Sequence, residues 1–147
     1  MKIADVMTRN FTTVVLGTTM REAAQILSHT WASELMVVDE DNEFVGVLAE
    51  GDMIRAIMPR FEDIMLSSGT LYETFGLFME AGHEKAVHPI DEVVIRKPIV
   101  VSSSSDVVKA AATMAAEKIN RLPVVDDGKL VGTISRADII HAVLCEK

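Results

Sequence analysis

Residues 122–126 read LPVVD, and residues 35–39 read LMVVD. Each stretch is followed by a Val-Gly pair and then by an Asp: Val45-Gly46 with Asp52, and Val131-Gly132 with Asp138. Pairing residues 5–39 with 92–126 and 44–57 with 130–143 gives 14 identities in 49 positions. The chain therefore contains an internal repeat. A repeat has to be identified before the fold of the chain is predicted. Two copies of one unit can enclose clefts between them, and such clefts are typical sites for small ligands.

Each copy predicts a strand, a helix, two strands and a second helix. Thr19 with Glu22 forms a capping box that opens the first helix, and Asp-Gly at 127–128 favours a tight hairpin. In the first copy the predicted elements are strands 11–16, 35–38 and 44–49, with helices from Thr19 to His29 and from Asp52 to Met58. In the second copy they are strands 99–102, 122–125 and 130–134, with helices 106–118 and 137–144.

A segment without a counterpart, about 59–91, separates the copies. It carries an apolar stripe at helical spacing, and Gly82 is a natural helix stop. The stripe consists of Leu71, Phe75, Phe78 and Met79. Packing of this stripe against the repeats is the expected arrangement, and a lid or a partner surface is the alternative.

The composition limits the class of protein. The chain has 147 residues, 49% hydrophobic, and a formal net charge of -8. It can therefore bury a core, and it lacks the basic surface that nucleic acid requires. No apolar run approaches the length that crosses a bilayer, and the N-terminus lacks the apolar region of a signal peptide. With a single cysteine, Cys145, the sequence predicts no internal disulfide and a cytoplasmic location without membrane association.

Catalytic and metal-binding patterns are weak. His83 and His88 are five residues apart, which places them off one helical face, and Pro89 follows directly. No Ser/His/Asp or Cys/His set occurs at motif spacing. We therefore expect no metal, no catalytic residues and no enzymatic activity.

The duplicated motifs identify a family resemblance. LPVVD at 122–126, followed by GTISRAD at 132–138, resembles the CBS domain (cystathionine β-synthase-type domain), and its duplication resembles a tandem CBS pair, or Bateman module. The resemblance implies an α/β (α+β) fold of two β-α-β-β-α repeats packed about a pseudo-twofold axis, with a helical insertion. The predicted division is 1–58 for the first repeat, 59–91 for the insertion and 92–147 for the second repeat. It also implies association into a homodimer, and clefts for adenosine derivatives such as AMP, ADP, ATP or S-adenosylmethionine rather than a cofactor.

The chemistry of the second motif has two interpretations. Ser135 lies where a strand passes into a helix, whose free N–H groups favour an anion. Asp138 lies one turn further on, so its carboxylate can accept both hydroxyls of a ribose, as acidic residues do in dinucleotide folds. The same pair is also an acceptable capping box that requires no ligand.

The resemblance implies two sets of site residues in this sequence. The main site combines one motif with walls from the other repeat, together with two polar residues, Asn120 and Arg121, at positions that face phosphates in the family. For Arg121 the alternative is an exposed charge at a helix end. Its members are Asn10, Val15, Ala32, Ser33, Asn120, Arg121, Thr133, Ser135 and Asp138. The weaker site consists of Val47, Ala49, Asp52, Lys97, Ser102 and Ile119, with Asn120 also on its wall.

The first repeat departs from the family pattern. Ala49 replaces the expected Ser or Thr, and Glu50 adds a negative charge beside the expected phosphate position. We therefore expect the Asp138 site to be the stronger one. Trp31, close to Ala32 and Ser33, is a candidate for stacking on a base or for packing in a core or interface. The leading hypothesis is a regulatory module that senses an adenine nucleotide or related adenosyl compound and acts on an unidentified protein. The alternative is a homodimeric scaffold with vestigial clefts.

Overall fold

The computed structural model describes residues 1–66 and 69–146. The chain folds into a mixed α+β structure whose elements follow the predicted repeat. The helices are α1 (Ile3–Val6), α2 (Met20–Thr30), α3 (Glu50–Ile57), α4 (Phe61–Leu66), α5 (Leu71–Lys85), α6 (Val107–Glu117) and α7 (Arg136–Cys145), with a 3-10 turn at Ile90–Glu92. The strands are β1 (Thr13–Val15), β2 (Glu34–Val38), β3 (Phe44–Ala49), β4 (Ile95–Arg96), β5 (Arg121–Asp126) and β6 (Lys129–Ser135).

The strands of the two repeats pair in the same way. In the first repeat the order is β1-β2-β3-β4, with β1 parallel to β2 and the other neighbours antiparallel. In the second repeat β5 and β6 form an antiparallel hairpin. Single bridges extend this hairpin on both sides, from Val101 parallel to Val124 and from Thr8 antiparallel to Thr133. This equivalence of pairing supports the predicted pseudo-twofold arrangement.

The repeats exchange their leading segments. Ile3 and Met7 precede the first repeat, yet they are buried in the core of the second repeat with Leu122. Ile90 and Val94 occupy the equivalent positions before the second repeat and are buried in the core of the first. Burial of apolar surface is the main stabilising term in folding. Each core therefore depends on residues from both copies.

Two equivalent glycines make this exchange possible. A Cβ on Gly132 would lie 2.8 Å from Sδ of Met7 and 2.9 Å from the carbonyl oxygen of Thr8. A Cβ on Gly46 would collide with the carbonyl oxygen of Ile95. The two Val-Gly pairs of the sequence are thus places where the exchanged segments approach the hairpin backbone closely.

Local capping agrees with the predicted helix starts, although α2 shows only the Thr19 half of the predicted capping box. Thr19 accepts a hydrogen bond from the Glu22 N–H at 3.2 Å, and Asp106 accepts one from the Val108 N–H at 3.0 Å. Trp31 and Lys118, at equivalent positions, end α2 and α6 with φ values of 58° and 56°. The predicted Asp-Gly turn is also confirmed, because both Asp127 and Gly128 have positive φ.

Several predicted boundaries are wrong. Within 99–102 only Val101 pairs with a neighbouring strand, and the short strand β4 lies before this segment. Lys97 has a φ of 56° and is followed by Pro98, which separates β4 from Val101. Helix α3 begins at Glu50 rather than Asp52, directly after β3 ends at Ala49.

The insertion differs from its prediction in two respects. Helix α5 continues through Gly82 to Lys85, so this glycine is not a helix stop. The predicted packing of the apolar stripe is also wrong, since Leu71, Phe75 and Met79 are 86%, 60% and 42% exposed. Helix α5 contacts α3 of the first repeat and α4, but it leaves most of the stripe facing outward. Within 1–66 and 69–146, no helix has the length and apolarity needed to cross a membrane.

Candidate functional site

A cavity of about 310 Å³ lies between the two repeats. The first repeat contributes the segment before β1 and the connection from α2 to β2. The second contributes one side chain each from β5 and β6. The lining residues are Asn10, Phe11, Thr12, Thr30, Trp31, Ala32, Ser33, Glu34, Met36, Arg121 and Thr133. The cavity thus combines backbone loops of one copy with hairpin residues of the other.

Backbone pairing places these walls next to each other. Thr8 and Thr133 exchange two backbone hydrogen bonds of 2.8 and 2.9 Å, which fixes the segment before β1 against β6. The Met36 N–H donates to the carbonyl of Thr12 at 3.4 Å, which fixes the same segment against β2. The loop from Asn10 to Thr12 is therefore held at both ends, with one end on each repeat.

The cavity contains five of the nine residues predicted for the main site. These are Asn10, Ala32, Ser33, Arg121 and Thr133. The other four have different surroundings. Val15 is 43% exposed at the end of β1, and the carbonyl of Asn120 accepts a hydrogen bond from the Arg136 N–H. Ser135 and Asp138 do not line the cavity but cap helix α7 behind Thr133.

The predicted capping box at Ser135 is formed. The Asp138 N–H donates to Oγ of Ser135 at 3.1 Å, and the Ser135 N–H donates to Oδ2 of Asp138 at 2.8 Å. The hydroxyl of Thr8 also donates to Oδ1 of Asp138 at 3.3 Å. Both carboxylate oxygens are therefore engaged inside the protein. A ribose hydroxyl would have to share or replace these donors.

The polar centre of the cavity is formed by Glu34, Arg121 and Thr133. Nη1 of Arg121 donates to Oγ1 of Thr133 at 2.7 Å, and Thr133 is only 1% exposed. Nε of Arg121 lies 3.8 Å from Oε1 of Glu34, which is an ion pair but too long for a hydrogen bond. Arg121 thus lies in the cavity wall rather than at an exposed helix end, and it retains donors for an anion.

The environment of Glu34 disfavours its charge. Burial raises the pKa of the Glu34 carboxyl above its ordinary value of 4.5, Arg121 lowers this pKa, and the neighbouring carboxylate of Glu50 raises it. Because the net direction is upward, the attraction of Arg121 does not fully compensate for burial.

Several residues predicted for the weaker site make hydrogen bonds or strand pairs within the protein. Oγ of Ser102 donates to Asp126 at 3.0 Å, and the carbonyl of Ile119 accepts from Nε of Arg136 at 3.0 Å. Val47 pairs with Ile95 in the sheet, and Ala49 pairs with Glu34. Lys97 lies in the turn after β4.

The motif of the first repeat lacks the polar contacts of the second. Ala49 precedes α3 without any side-chain cap. Oδ1 of Asp52 pairs with Arg55, whereas Oδ2 is buried without a hydrogen-bond partner. Ser135 and Asp138 satisfy the same positions in the second repeat. The first motif therefore lacks the capping contacts that the second motif makes, and the ranking of the two sites stays a prediction.

Six lining residues belong to neither predicted set of site residues, although Trp31 was a candidate for stacking on a base. They are Phe11, Thr12, Thr30, Trp31, Glu34 and Met36. Trp31 is 94% exposed, so core packing is wrong for this side chain and its position at the cavity favours a contact with a ligand. Glu34 could have been found from the internal repeat, because it aligns with the predicted site residue Arg121.

A second cavity of about 620 Å³ lies between α2, α3 and α5. Its walls are mainly apolar and include three charged side chains. They consist of Met20, Arg21, Ala24, Gln25, Leu27, Ser28, Glu50, Met53, Ile54, Ile57, Gly82, Lys85 and Ala86. Within the described ranges, no cluster of three or more His, Cys, Asp or Glu side chains could hold a metal ion.

Comparisons with known proteins agree with the repeated fold. The model of the CBS domain family matches residues 3–59 and 90–145. The uncharacterized protein MJ1426 of Methanocaldococcus jannaschii is 31% identical over 119 residues, which cover 74% of this chain and 71% of that protein. The chloroplastic protein CBSX1 of Arabidopsis thaliana is 29% identical over 133 residues, which cover 86% of this chain and only 56% of CBSX1.

Two solved structures carry adenosine compounds. CBSX2 of Arabidopsis thaliana in complex with AMP has a TM-score of 0.74 at 24% identity, covering 97% of this chain and 96% of that one. The CBS domain pair of protein MJ0100, in complex with 5'-methylthioadenosine and S-adenosyl-L-methionine, has a TM-score of 0.71 at 22% identity, covering 100% and 98%. With the family model matching most of its length in two segments, the chain belongs to the CBS domain family.

Proposed function

We propose that this chain is a non-enzymatic regulatory module that senses an adenosine derivative in the cleft between its two repeats. The observation that carries this proposal is the cavity that combines Asn10 and Ser33 of one repeat with Arg121 and Thr133 of the other. The AMP, 5'-methylthioadenosine and S-adenosylmethionine complexes of CBS pairs with the same fold support this class of ligand.

The lining offers a partner for each part of such a ligand. Phe11 and Trp31 supply aromatic faces that can stack on a base. Asn10, Thr12 and Ser33 supply donors and acceptors for the base edge or the sugar. Arg121 supplies guanidinium donors for a phosphate or carboxylate. The surface of this cavity is more polar than apolar, which suits the sugar and the phosphate of such a ligand.

Ligand binding would act on the contacts that hold the two repeats together. The loop at Asn10–Thr12 is tied to β6 through Thr8 and to β2 through Met36. A ligand that contacts both walls favours the arrangement in which they are close, and thereby shifts the population of repeat orientations. We propose that this shift changes a surface that a regulated protein recognises, and that the module works as a homodimer.

Two observations favour the scaffold alternative. Both oxygens of Asp138 already accept hydrogen bonds within the chain. The exposed stripe of α5 provides apolar surface that a partner could cover. In this alternative the cleft binds no nucleotide, and the internal contacts of Asp138 serve only the fold.

Thermal unfolding with and without ligand separates the two functions. A ligand that binds only the folded state at 100 times its dissociation constant adds about 2.7 kcal/mol to the free energy of unfolding. We expect a rise of several degrees with at least one of AMP, ADP, ATP, S-adenosylmethionine or 5'-methylthioadenosine. Guanosine monophosphate serves as the control for the base. Absence of any shift at millimolar concentration would support the scaffold function instead.

A further inference from the structure

Glu34 and Arg121 occupy equivalent positions of the two repeats and face each other across their junction. Each is the first residue of the first hairpin strand, β2 or β5. Their side chains form the 3.8 Å ion pair and are 18% and 36% exposed. The repeat thus places an acid on one side of the cleft where the other side carries a base.

This pair sets the charge of the cavity. Among the lining residues, Arg121 carries the positive side chain and Glu34 the negative one, and the others are neutral. Arg121 donates its short hydrogen bond to the neutral hydroxyl of Thr133, so its remaining donors are available to an anion. Glu34, however, opposes every negative charge that Arg121 attracts.

A second acid strengthens this opposition. Glu50 lies at the start of α3, where its N–H bonds to the carbonyl of Ser33 in the cavity wall. Its charge acts on Glu34, as the cause of the raised pKa shows. The whole chain also carries a formal net charge of -8. The potential that a polyphosphate meets on entering is therefore negative on the Glu34 side.

We infer that Glu34 makes this cleft selective for adenosine compounds with at most one phosphate group, and against di- and triphosphates. The inference rests on the proposed function and names its ligand class. Arg121 has enough free donors for one phosphate, whereas each further phosphate adds charge without a second cation in the lining. Glu34 is thus a specificity-determining residue, and its effect is electrostatic.

Calorimetric titration of AMP, 5'-methylthioadenosine and ATP tests this selectivity in three proteins at 0.15 M salt. These are the wild type, Glu34→Gln, and Glu40→Gln as a control. Glu40→Gln removes the same charge at an exposed position in the turn at the other end of β2. We expect the wild type to bind AMP at least about tenfold more tightly than ATP. Glu34→Gln should reduce this ratio by about tenfold, and Glu40→Gln should leave it nearly unchanged.

The outcomes distinguish this inference from the proposed function. If AMP binds the wild type but Glu34→Gln and Glu40→Gln change the AMP-to-ATP ratio equally, the selective role of Glu34 is wrong while the nucleotide site stands. A wild type that prefers ATP has the same consequence. If no adenosine compound binds any of the three proteins, both proposals are overturned. Should Glu34→Gln fail to fold, Glu50→Gln at its exposed position should change the ratio in the same direction, and no change there would overturn the inference.

Discussion

The hydroxyl of Thr8 donates to Oδ1 of Asp138, joining the leading segment of the first repeat to the last helix of the second. The same carboxylate accepts the Ser135 N–H through Oδ2. Asp138 therefore has a structural role, and the ribose contact considered for it from the sequence would have to compete with these internal donors. Two substitutions can separate these roles.

Asp138→Ala should weaken both folding and ligand binding. Loss of the capping box should lower the free energy of unfolding by about 1 kcal/mol. Loss of charge-assisted hydrogen bonds to a ribose should raise the dissociation constant roughly tenfold to a hundredfold. Thr8→Val removes only the internal donor, so it should leave ligand binding intact or improve it. Urea unfolding and calorimetry of both variants measure these effects. If Asp138→Ala binds like the wild type, Asp138 serves only as a cap.

Ala49→Ser should repair the unsatisfied start of α3. Ala49 has the extended backbone of an N-cap residue but no oxygen to accept a hydrogen bond, whereas Ser135 caps α7 at the equivalent position. We expect a gain of about 1 kcal/mol in the free energy of unfolding. Ala24→Ser, on the exposed side of α2, controls for the substitution and should be neutral or slightly destabilising. A loss of stability in Ala49→Ser would show that the site has no room for the hydroxyl.

Alanine at the two Val-Gly pairs should disturb the exchange of leading segments. Gly46→Ala should destabilise by roughly 2 kcal/mol or more, because its Cβ would collide with the rigid backbone of Ile95. Gly132→Ala should lower the free energy of unfolding by less than Gly46→Ala, because the flexible side chain of Met7 can shift away. The carbonyl of Thr8 remains close to the new Cβ. Gly76→Ala is the control, since nothing lies within 4 Å and removal of a glycine from α5 should stabilise by roughly 0.5–1 kcal/mol. If denaturant unfolding shows the same loss of stability for Gly76→Ala as for Gly46→Ala, this account is wrong.

Glu34→Gln should change the dependence of stability on pH. Because the pKa of Glu34 is raised in the folded protein, its ionised form is penalised, and this penalty grows as the pH rises above the ordinary value of 4.5. Relative to the variant, the wild type should therefore lose stability between pH 4.5 and neutral pH. Paired urea titrations from pH 4 to 8 measure the difference. If the difference in the free energy of unfolding between the two proteins does not change with pH, the folded protein does not shift the pKa of Glu34.

The internal repeat made most of the fold predictable. The hairpins and the capped helices follow from local patterns such as Thr19 with Glu22 and the Asp127-Gly128 turn, and these patterns act over a few residues. The exchange of Ile3 and Ile90 between the cores is a tertiary contact without any local signal. Strand β4 has only two residues, too few to show alternation. The boundaries at 58/59 and 91/92 stay a prediction.

The site was predictable where it lies in the motifs and unpredictable where the repeats meet. Thr133 and Arg121 come from the duplicated hairpin, and Asn10 and Ser33 follow from the family resemblance. The role of Glu34 depends on its distance from Arg121, which only the packing of the two repeats determines. The internal hydrogen bond from Thr8 to Asp138 was missed for the same reason.

Amide chemical-shift mapping with AMP tests the central claim most directly, because it locates the ligand as well as detecting it. We expect saturable shifts concentrated at Asn10, Trp31, Ser33 and Thr133, with a smaller change at Asp138. The amides around the apolar cavity at Met53 and Ala86 should remain nearly unchanged. Shifts centred on Met53 and Ala86, or no shifts at millimolar AMP and 5'-methylthioadenosine, would contradict an adenosine site between the repeats.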